Sequence, residues 1–345
     1  MVGIPSFVFV QTMVPQGADT NECEHNLHER TMTKAPWNGI FFTVGGIRPN
    51  GGSVAFLGID IGSVITTAAL IDDGLHMLAL ANTPTRIDGT FETTVADIRA
   101  AVAKALGQAG YDVSVIEGLC VSVPGIVDNE SGRAFCPTLE WIEPMPVRVI
   151  ARKHLSAPVY LANDAQVTAV GEAHYGTGMS FDRFALIRFG SLIEVAMVVN
   201  GVAVESETIP AQIATEGEFL LEAHELIEED DSDDDDIDLS GVGLGRIRSS
   251  QVLEEARKHN PVALHAAEWL VDTMTQGIVS VTEGLAPEAV VISGATPRDR
   301  LYLAKRITRK LAETRSKIAG IPVEVASLGD DAKPFGAAVI AMQNA

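Results

Sequence analysis

The chain has 345 residues, 46% hydrophobic and 21% charged, a composition that suits a soluble globular protein with two cores rather than a disordered or membrane one. Its formal charge is −21, from 46 acidic against 25 basic residues, so no direct nucleic-acid partner is expected. No apolar run approaches the roughly 20 residues of a membrane span, and three cysteines without a CxxC pair point to a reducing cytoplasm without disulfides.

Residues 1–53 lack sustained periodicity and carry Pro, Gly and Asn clusters, which predicts a weakly ordered extension. Its start is apolar but has no basic segment and is broken by Pro5 and Pro15, a poor signal peptide, and Met32 could also begin the protein. Cys23, His25 and His28 lack a fourth ligand and are not read as a metal site. From Val54 the pattern becomes regular, with strands predicted at 54–60, 64–72 and 75–82. The first two form a hairpin across Asp60 and Gly62, a turn that could face a phosphate, although Ser63 is followed there by the bulky Val64 and Ile65. A helix is expected over 92–109, stopped by Gly110, then a buried strand over 118–123 that contains Cys120 as a core residue. A strand over 159–162 runs into Asn163-Asp164 and a helix beginning at Ala165.

The second half restarts the same plan. Strands at 184–189 and 193–199 are broken at Gly190-Ser191, helices follow at 250–259 and 261–284, and a strand at 289–293 ends at Gly294. A helix at 299–316, a short strand at 323–326 and a helix at 332–343 complete it. Nine negatives in residues 228–238 predict a self-repelling surface loop, and no central glycine supports an EF-hand there. Two similar hairpin-then-helix halves predict a duplicated α/β fold with a cleft between the copies.

Five segments in order make the chain resemble the ROK family of repressors, open reading frames and sugar kinases. They are Leu57-Gly-Ile-Asp-Ile-Gly62; Val121-Ser-Val-Pro-Gly-Ile-Val-Asp128 with Pro137 and Trp141; Val159-Tyr-Leu-Ala-Asn-Asp-Ala165 with Gly171-Glu172; Val290-Val-Ile-Ser-Gly294; and Leu328-Gly-Asp-Asp331 with Gly336-Ala-Ala338. The resemblance implies an α/β fold of two actin-like (ribonuclease H-like) ATPase lobes flanking a cleft. The first lobe would be 54–163, completed by 332–345, and the second 164–331, containing the acidic loop. It implies that Asp164 stands where the kinases keep their general base and Asn163 where they hold a sugar hydroxyl, which suits phosphoryl transfer as positioning plus charge stabilisation. Asn163-Asp164 is also a good helix cap, and Asp60 could simply cap its turn. By the same resemblance Asp60 is the magnesium-side carboxylate, and Gly62, Ser63, Gly190, Ser191 and Gly294 are the nucleotide and phosphate contacts. A sugar is the implied small-molecule partner and a homodimer the implied assembly.

Departures from the family pattern carry as much weight. The second phosphate hairpin of the family reads roughly Gly-Thr-Gly-Ile-Gly-Ala-Gly, whereas Leu192, Glu194 and Ala196 stand at glycine positions here. A leucine held at positive φ would cost about 1–2 kcal/mol. A Glu194 carboxylate about 4 Å from a phosphate would be repelled by roughly 4 kcal/mol, on the order of a thousandfold in rate or binding. The family's sugar-contacting Gly-Glu-Ile-Gly-His aligns with Ala211-Gln-Ile-Ala-Thr215, leaving Gln212 to meet a hydroxyl and Thr215 unable to ligate zinc; with the cysteine cluster absent, zinc is not expected. The expectation is a degenerate, weakly active or non-catalytic sugar-binding or regulatory member. The alternative is an active, glucokinase-like enzyme that uses Mg-ATP to phosphorylate a hexose or N-acetylhexosamine, with Asp164 as base.

Overall fold

The computed structural model describes residues 54–88, 90–152, 156–204, 212–229, 248–282, 285–314 and 316–345. All of them fall in one compact unit, Ile47–Ala345. The expectations for residues 1–53 and for most of the acidic run lie outside the described residues.

The first sheet is built from β1 (Ala55–Ile61), β2 (Ile65–Asp72), β3 (Met77–Pro84), β4 (Ile116–Val123) and β8 (Val159–Asn163), in the order β3-β2-β1-β4-β8. The first three are antiparallel, and β4 and β8 add in parallel after α1 (Phe91–Ala109) and an insertion. Thr90 caps α1 through the Thr93 N–H, and Gly110 ends it at φ 70°, the left-handed conformation that glycine adopts without penalty. The insertion holds a small sheet of β5 (Ile126–Asp128), β6 (Arg133–Cys136) and β7 (Trp141–Met145), then α2 (Val147–Arg152). These pieces are too short for hydrophobic periodicity to reveal.

After α3 (Asp164–Tyr175), the second sheet repeats the plan with β9 (Arg183–Phe189), β10 (Leu192–Val199), β11 (Val202–Ala203), a short β12 (Ala214–Thr215), β13 (Ala289–Gly294) and β14 (Val323–Val325). Its order is β11-β10-β9-β13-β14, with β12 pairing β10. Both sheets therefore have a three-strand antiparallel edge followed by two parallel strands, the signature of a duplication. The helices α4 (Glu216–Glu229), α5 (Ser249–Arg257), α6 (Pro261–Thr282), α7 (Pro297–Glu313) and α8 (Ala332–Gln343) complete the described chain.

Strand alternation decides what meets what. On β1, Leu57 and Ile59 face the core shared with Ile98, Ala101 and Ile150, while Phe56 faces Ala337, Ala338 and Ala341 of α8. Gly58 lies on the α8 side too, where an added Cβ would sit 2.3 Å from both Ala338 N and Pro334 O. Asp60 is the next residue on that row. On the second sheet Ile187, Phe189, Ile193 and Val195 join the core of α6 and α7, and Phe184, Leu186, Ala196 and Val198 pack on Ala165 and Ala169 of α3. Arg188 and Glu194 continue this second row toward the start of α3.

The two helices between the sheets touch backbone to backbone. A Cβ at Gly171 of α3 would lie 2.2 Å from Ala332 O, and one at Gly336 of α8 only 1.8 Å from Val167 O. Glu172, fully buried, fixes the approach to α8 by accepting from the N–H groups of Thr177 (2.8 Å), Ser327 (3.2 Å) and Leu328 (2.7 Å).

Candidate functional site

The row ends of β1 and β9, the start of α3 and the start of α8 converge on a buried cluster of charge. Asn163 caps α3, accepting from Gln166 N (2.8 Å) while Gln166 Oε1 accepts from Asn163 N (3.0 Å), a capping box that fixes Asp164 at the first helical position. Asp164 is 1% exposed, and its Oδ1 accepts from Ser122 Oγ at 3.4 Å. Its Oδ2 meets Lys333 Nζ at 3.4 Å and Arg188 Nη2 at 3.2 Å. The same Lys333 ammonium lies 3.0 Å from Asp60 Oδ2. Arg188 also reaches Asp330 at 3.5 Å and faces Glu194 at 3.8 Å, its directly opposed partner across the β9–β10 ladder.

These neighbours set the protonation states. Burial works to raise Asp164, but Lys333 and Arg188 together outweigh it and hold the carboxyl below its ordinary value. Asp60 is pushed up to about 6 by burial, which its contact with Lys333 only partly offsets. Burial, reinforced by Asp164, raises Glu194 to about 8 despite Arg188, so it is largely uncharged at neutral pH. With Glu194 neutral, Asp60 and Asp164 balance Lys333 and Arg188 inside the fold. Asp60 Oδ1, both Glu194 oxygens, and Arg188 Nε and Nη1 are buried without a hydrogen-bond partner.

The turns expected to hold phosphate are occupied by the chain itself. At the β9–β10 turn, Gly190 N donates to Leu192 O, and the space a Gly190 Cβ would take lies 2.3 Å from Arg188 Nη1. Leu192, Glu194 and Ala196 sit in the regular β10 ladder and none has positive φ, so the backbone strain expected at Leu192 is absent. The ladder simply continues where a glycine-rich loop would have curled. Glu194 is 1% exposed and turned toward Arg188, which places a cation beside the carboxylate expected to repel phosphate. At the β1–β2 turn, Gly62 N donates to Ile65 O (3.1 Å), and Ser63 and Val64 are exposed. Gly294 adopts φ 71° where β13 presses on Phe189, and Arg300 Nη1 donates to its carbonyl at 3.1 Å.

The structure thus joins Asp60 and Asp164 through Lys333, with Asn163 adjacent, and sets Gly190 beside Arg188. Gln212 is half-buried next to Ile213, whose N–H donates to Ile193 O, and at the other end of the same pairing Glu216 N donates to Ser191 O (3.0 Å). Lys333, Arg188 and Ser122 were not anticipated from sequence. The available signal was a lone arginine inside Phe184–Phe189 and a lone lysine near the start of an otherwise apolar final helix.

The residues present do not suit a magnesium ion. Mg²⁺ needs oxygen ligands at about 2.0–2.1 Å in an octahedron. Here two of the carboxylate oxygens that would serve, Asp60 Oδ2 and Asp164 Oδ2, are engaged by an ammonium and a guanidinium, which leaves Asp60 Oδ1 as a single open oxygen. A divalent ion about 4 Å from either cation would be repelled by roughly 8 kcal/mol at an effective dielectric near 20.

Residues 56–206 match the ROK family. The chain is 25% identical over 264 residues to the xylose repressor of Caldicellulosiruptor bescii, covering 68% of this chain but 65% of the repressor, so the chain spans just under two thirds of that relative. It is 24% identical over 311 residues to the glucokinase of Pyrobaculum calidifontis, covering 83% of this chain and 94% of that one. The ROK glucokinase of Streptomyces griseus, crystallised with glucose and AMPPNP, superposes with a TM-score of 0.63 at 22% identity, over 84% of this chain and 99% of that one. The chain therefore has the two-lobed actin-like fold, and its relatives include both glucokinases and xylose repressors. No helix among the described residues is long and apolar enough to cross a membrane.

Proposed function

We propose that this chain is a sugar-binding member of the ROK family that does not turn over nucleotide. One observation carries the reading: Asp164, at the position implied to be the base, is ion-paired to both Arg188 and Lys333 and held below its ordinary pKa. A general base works best with a pKa near the operating pH and an oxygen free to meet the reacting hydroxyl. Neither condition suits this carboxylate. The glucokinase and repressor relatives support a sugar as the ligand, with Asn163 and Gln212 as hydroxyl partners. In this reading the lobes divide between Asn163 and Asp164, 332–345 completes the first, and the protein acts in the cytoplasm as a homodimer without touching DNA itself.

Calorimetry with glucose, xylose and N-acetylhexosamines, paired with an ADP-release assay in Mg-ATP, tests it. Sugar binding without ADP release is the expected result. Sugar-dependent ADP release, lost in Asp164→Asn, would establish an active kinase instead.

A further inference from the structure

Helix α7 is strongly basic, with six Lys or Arg against two acidic residues, in a chain whose net charge is −21. Three of the six are already engaged: Arg300 Nη1 donates to Gly294 O, Arg306 pairs with Glu268 at 3.5 Å and Lys310 with Asp272 at 2.7 Å. The other three, Arg298, Lys305 and Arg309, are exposed and form no ion pair among the described residues. Their spacing puts them on one stripe with the exposed Leu301, Thr308 and Ala312, about 16 Å long at 1.5 Å per residue, with no acidic side chain in it. Lys305 and Arg309, one turn apart, repel each other, so this face lacks its counter-charge. We infer that the face is a docking surface for the chain's own acidic run, and that residues 230–238 lie along Arg298, Lys305 and Arg309 of the same molecule.

Charge and chain length single out this occupant. Residues 230–238 hold seven aspartates, more than enough to answer three cations. An acidic partner from outside would have to approach against the net charge of the whole chain, whereas the run is already part of it. The run leaves α4 at Glu229 and the chain re-enters a helix at Ser249, the start of α5. The far end of α5 sits on α7, where Arg257 is hydrogen-bonded to Asp299 and lies 6.0 Å over the Tyr302 ring. At nine residues, α5 begins about 14 Å from that contact. The chain from Asp238 to Ser249 spans up to roughly 36 Å when extended, so the aspartates reach the stripe. A short tether keeps them at about millimolar effective concentration, where several exposed pairs act together although each alone is weak. The contact is independent of sugar binding: a failed sugar titration leaves it standing, and its own failure leaves the sugar reading untouched.

Zero-length carbodiimide crosslinking of the full chain, read by peptide mass spectrometry, tests it. Lys305 is the reporter, and the exposed Lys104 of α1 is the reference. At low salt, amide links from Lys305 to residues 230–238 are expected to exceed those from Lys104 at least about fivefold, the advantage of a tethered contact over chance encounter. They should fall to the reference level as salt rises from about 10 mM to about 1 M, which shortens the screening length from about 30 Å to about 3 Å. The double variant Arg298→Glu/Arg309→Glu keeps the reporter lysine and should lose the excess in the same way. Both positions are exposed, circular dichroism checks the fold, and the salt arm needs no variant. A Lys305 yield no higher than that of Lys104 at low salt overturns the inference, as does an excess that survives high salt or the double reversal. A mixture of isotope-labelled and unlabelled chains separates the sources: links within one chain support the docking, and links only between chains overturn it in favour of a second copy.

Discussion

Arg188→Met keeps an aliphatic stem in place while removing the guanidinium from three carboxyl groups. Asp330 is 77% exposed on its side chain, so solvent screens that pair and it contributes little. Glu194 is largely neutral at pH 7, because burial lifts it to about 8, and it too loses little. The contact that matters is Asp164 at 3.2 Å, where attraction at an effective dielectric near 20 amounts to about 5 kcal/mol. The substitution returns part of that by sparing the desolvation of a buried guanidinium, and Lys333 still pairs with Asp164 at 3.4 Å. The expected loss is therefore about 3 kcal/mol, the low end of the cost of taking one partner from a buried ion pair. At about 2.1 cal/mol/K of unfolding entropy per residue over the unit Ile47–Ala345, that lowers Tm by about 5 °C. Circular-dichroism melts of wild type, Arg188→Met and Arg188→Lys at pH 7 measure it, with the lysine variant falling between the other two. A loss below about 1 kcal/mol in the methionine variant would refute the idea that this guanidinium neutralises the interior.

Glu194→Gln should alter the pH profile in a defined sense. Because burial raises the folded pKa from 4.5 to about 8, this group's contribution is fully present below pH 4.5 and is lost as pH rises toward 8. The glutamine variant lacks that loss, so denaturant melts should show it gaining on wild type between pH 5 and 8.5 by a few kcal/mol, on the order expected from the shift; a constant difference across that range would contradict the burial argument. Gly336→Ala drives a methyl into Val167 O and should cost about 2–3 kcal/mol or more, seen as a lowered urea midpoint. Glu172→Gln retains the side chain's shape but turns an acceptor of backbone N–H groups into a mixed donor and acceptor. A loss of about 1–3 kcal/mol is expected, with faster hydrogen exchange at Ser327 and Leu328 as the local sign.

The sequence made the main strands legible because they are continuous apolar runs bounded by glycine, proline or aspartate, and most of the long helices legible because their apolar spacing persists over several turns; α4, Glu216–Glu229, was missed. The insertion between β4 and β8 was not legible, because strands of three to five residues hold too few repeats of the pattern. At the site, Asp60, Asn163 and Asp164 were singled out through the resemblance of the segments that hold them, while local chemistry alone read them as capping residues at a turn and a helix start. Lys333 and Arg188 were not, because a single basic residue in an apolar element reads equally as a solvent-facing charge. Only the register, which puts Arg188 opposite Glu194 and Asp60 at the end of the α8-facing row, turns both inward. The cost assigned to Leu192 failed for a related reason, since it assumed a loop where the strand ladder persists.

The cluster also has a kinetic consequence. Lys333 and Asp164 are 169 positions apart in sequence, and Arg188 and Asp330 are 142 apart, so no local segment can pair these charges before both sheets and the last helix have docked. Until then each ionised group is better solvated outside than half-assembled inside, which places their pairing after the main folding barrier. Substitutions at Arg188 or Lys333 should then accelerate unfolding while leaving the refolding rate nearly unchanged. The same charges that make the finished interior neutral would thereby govern how long a native molecule persists rather than how quickly it forms.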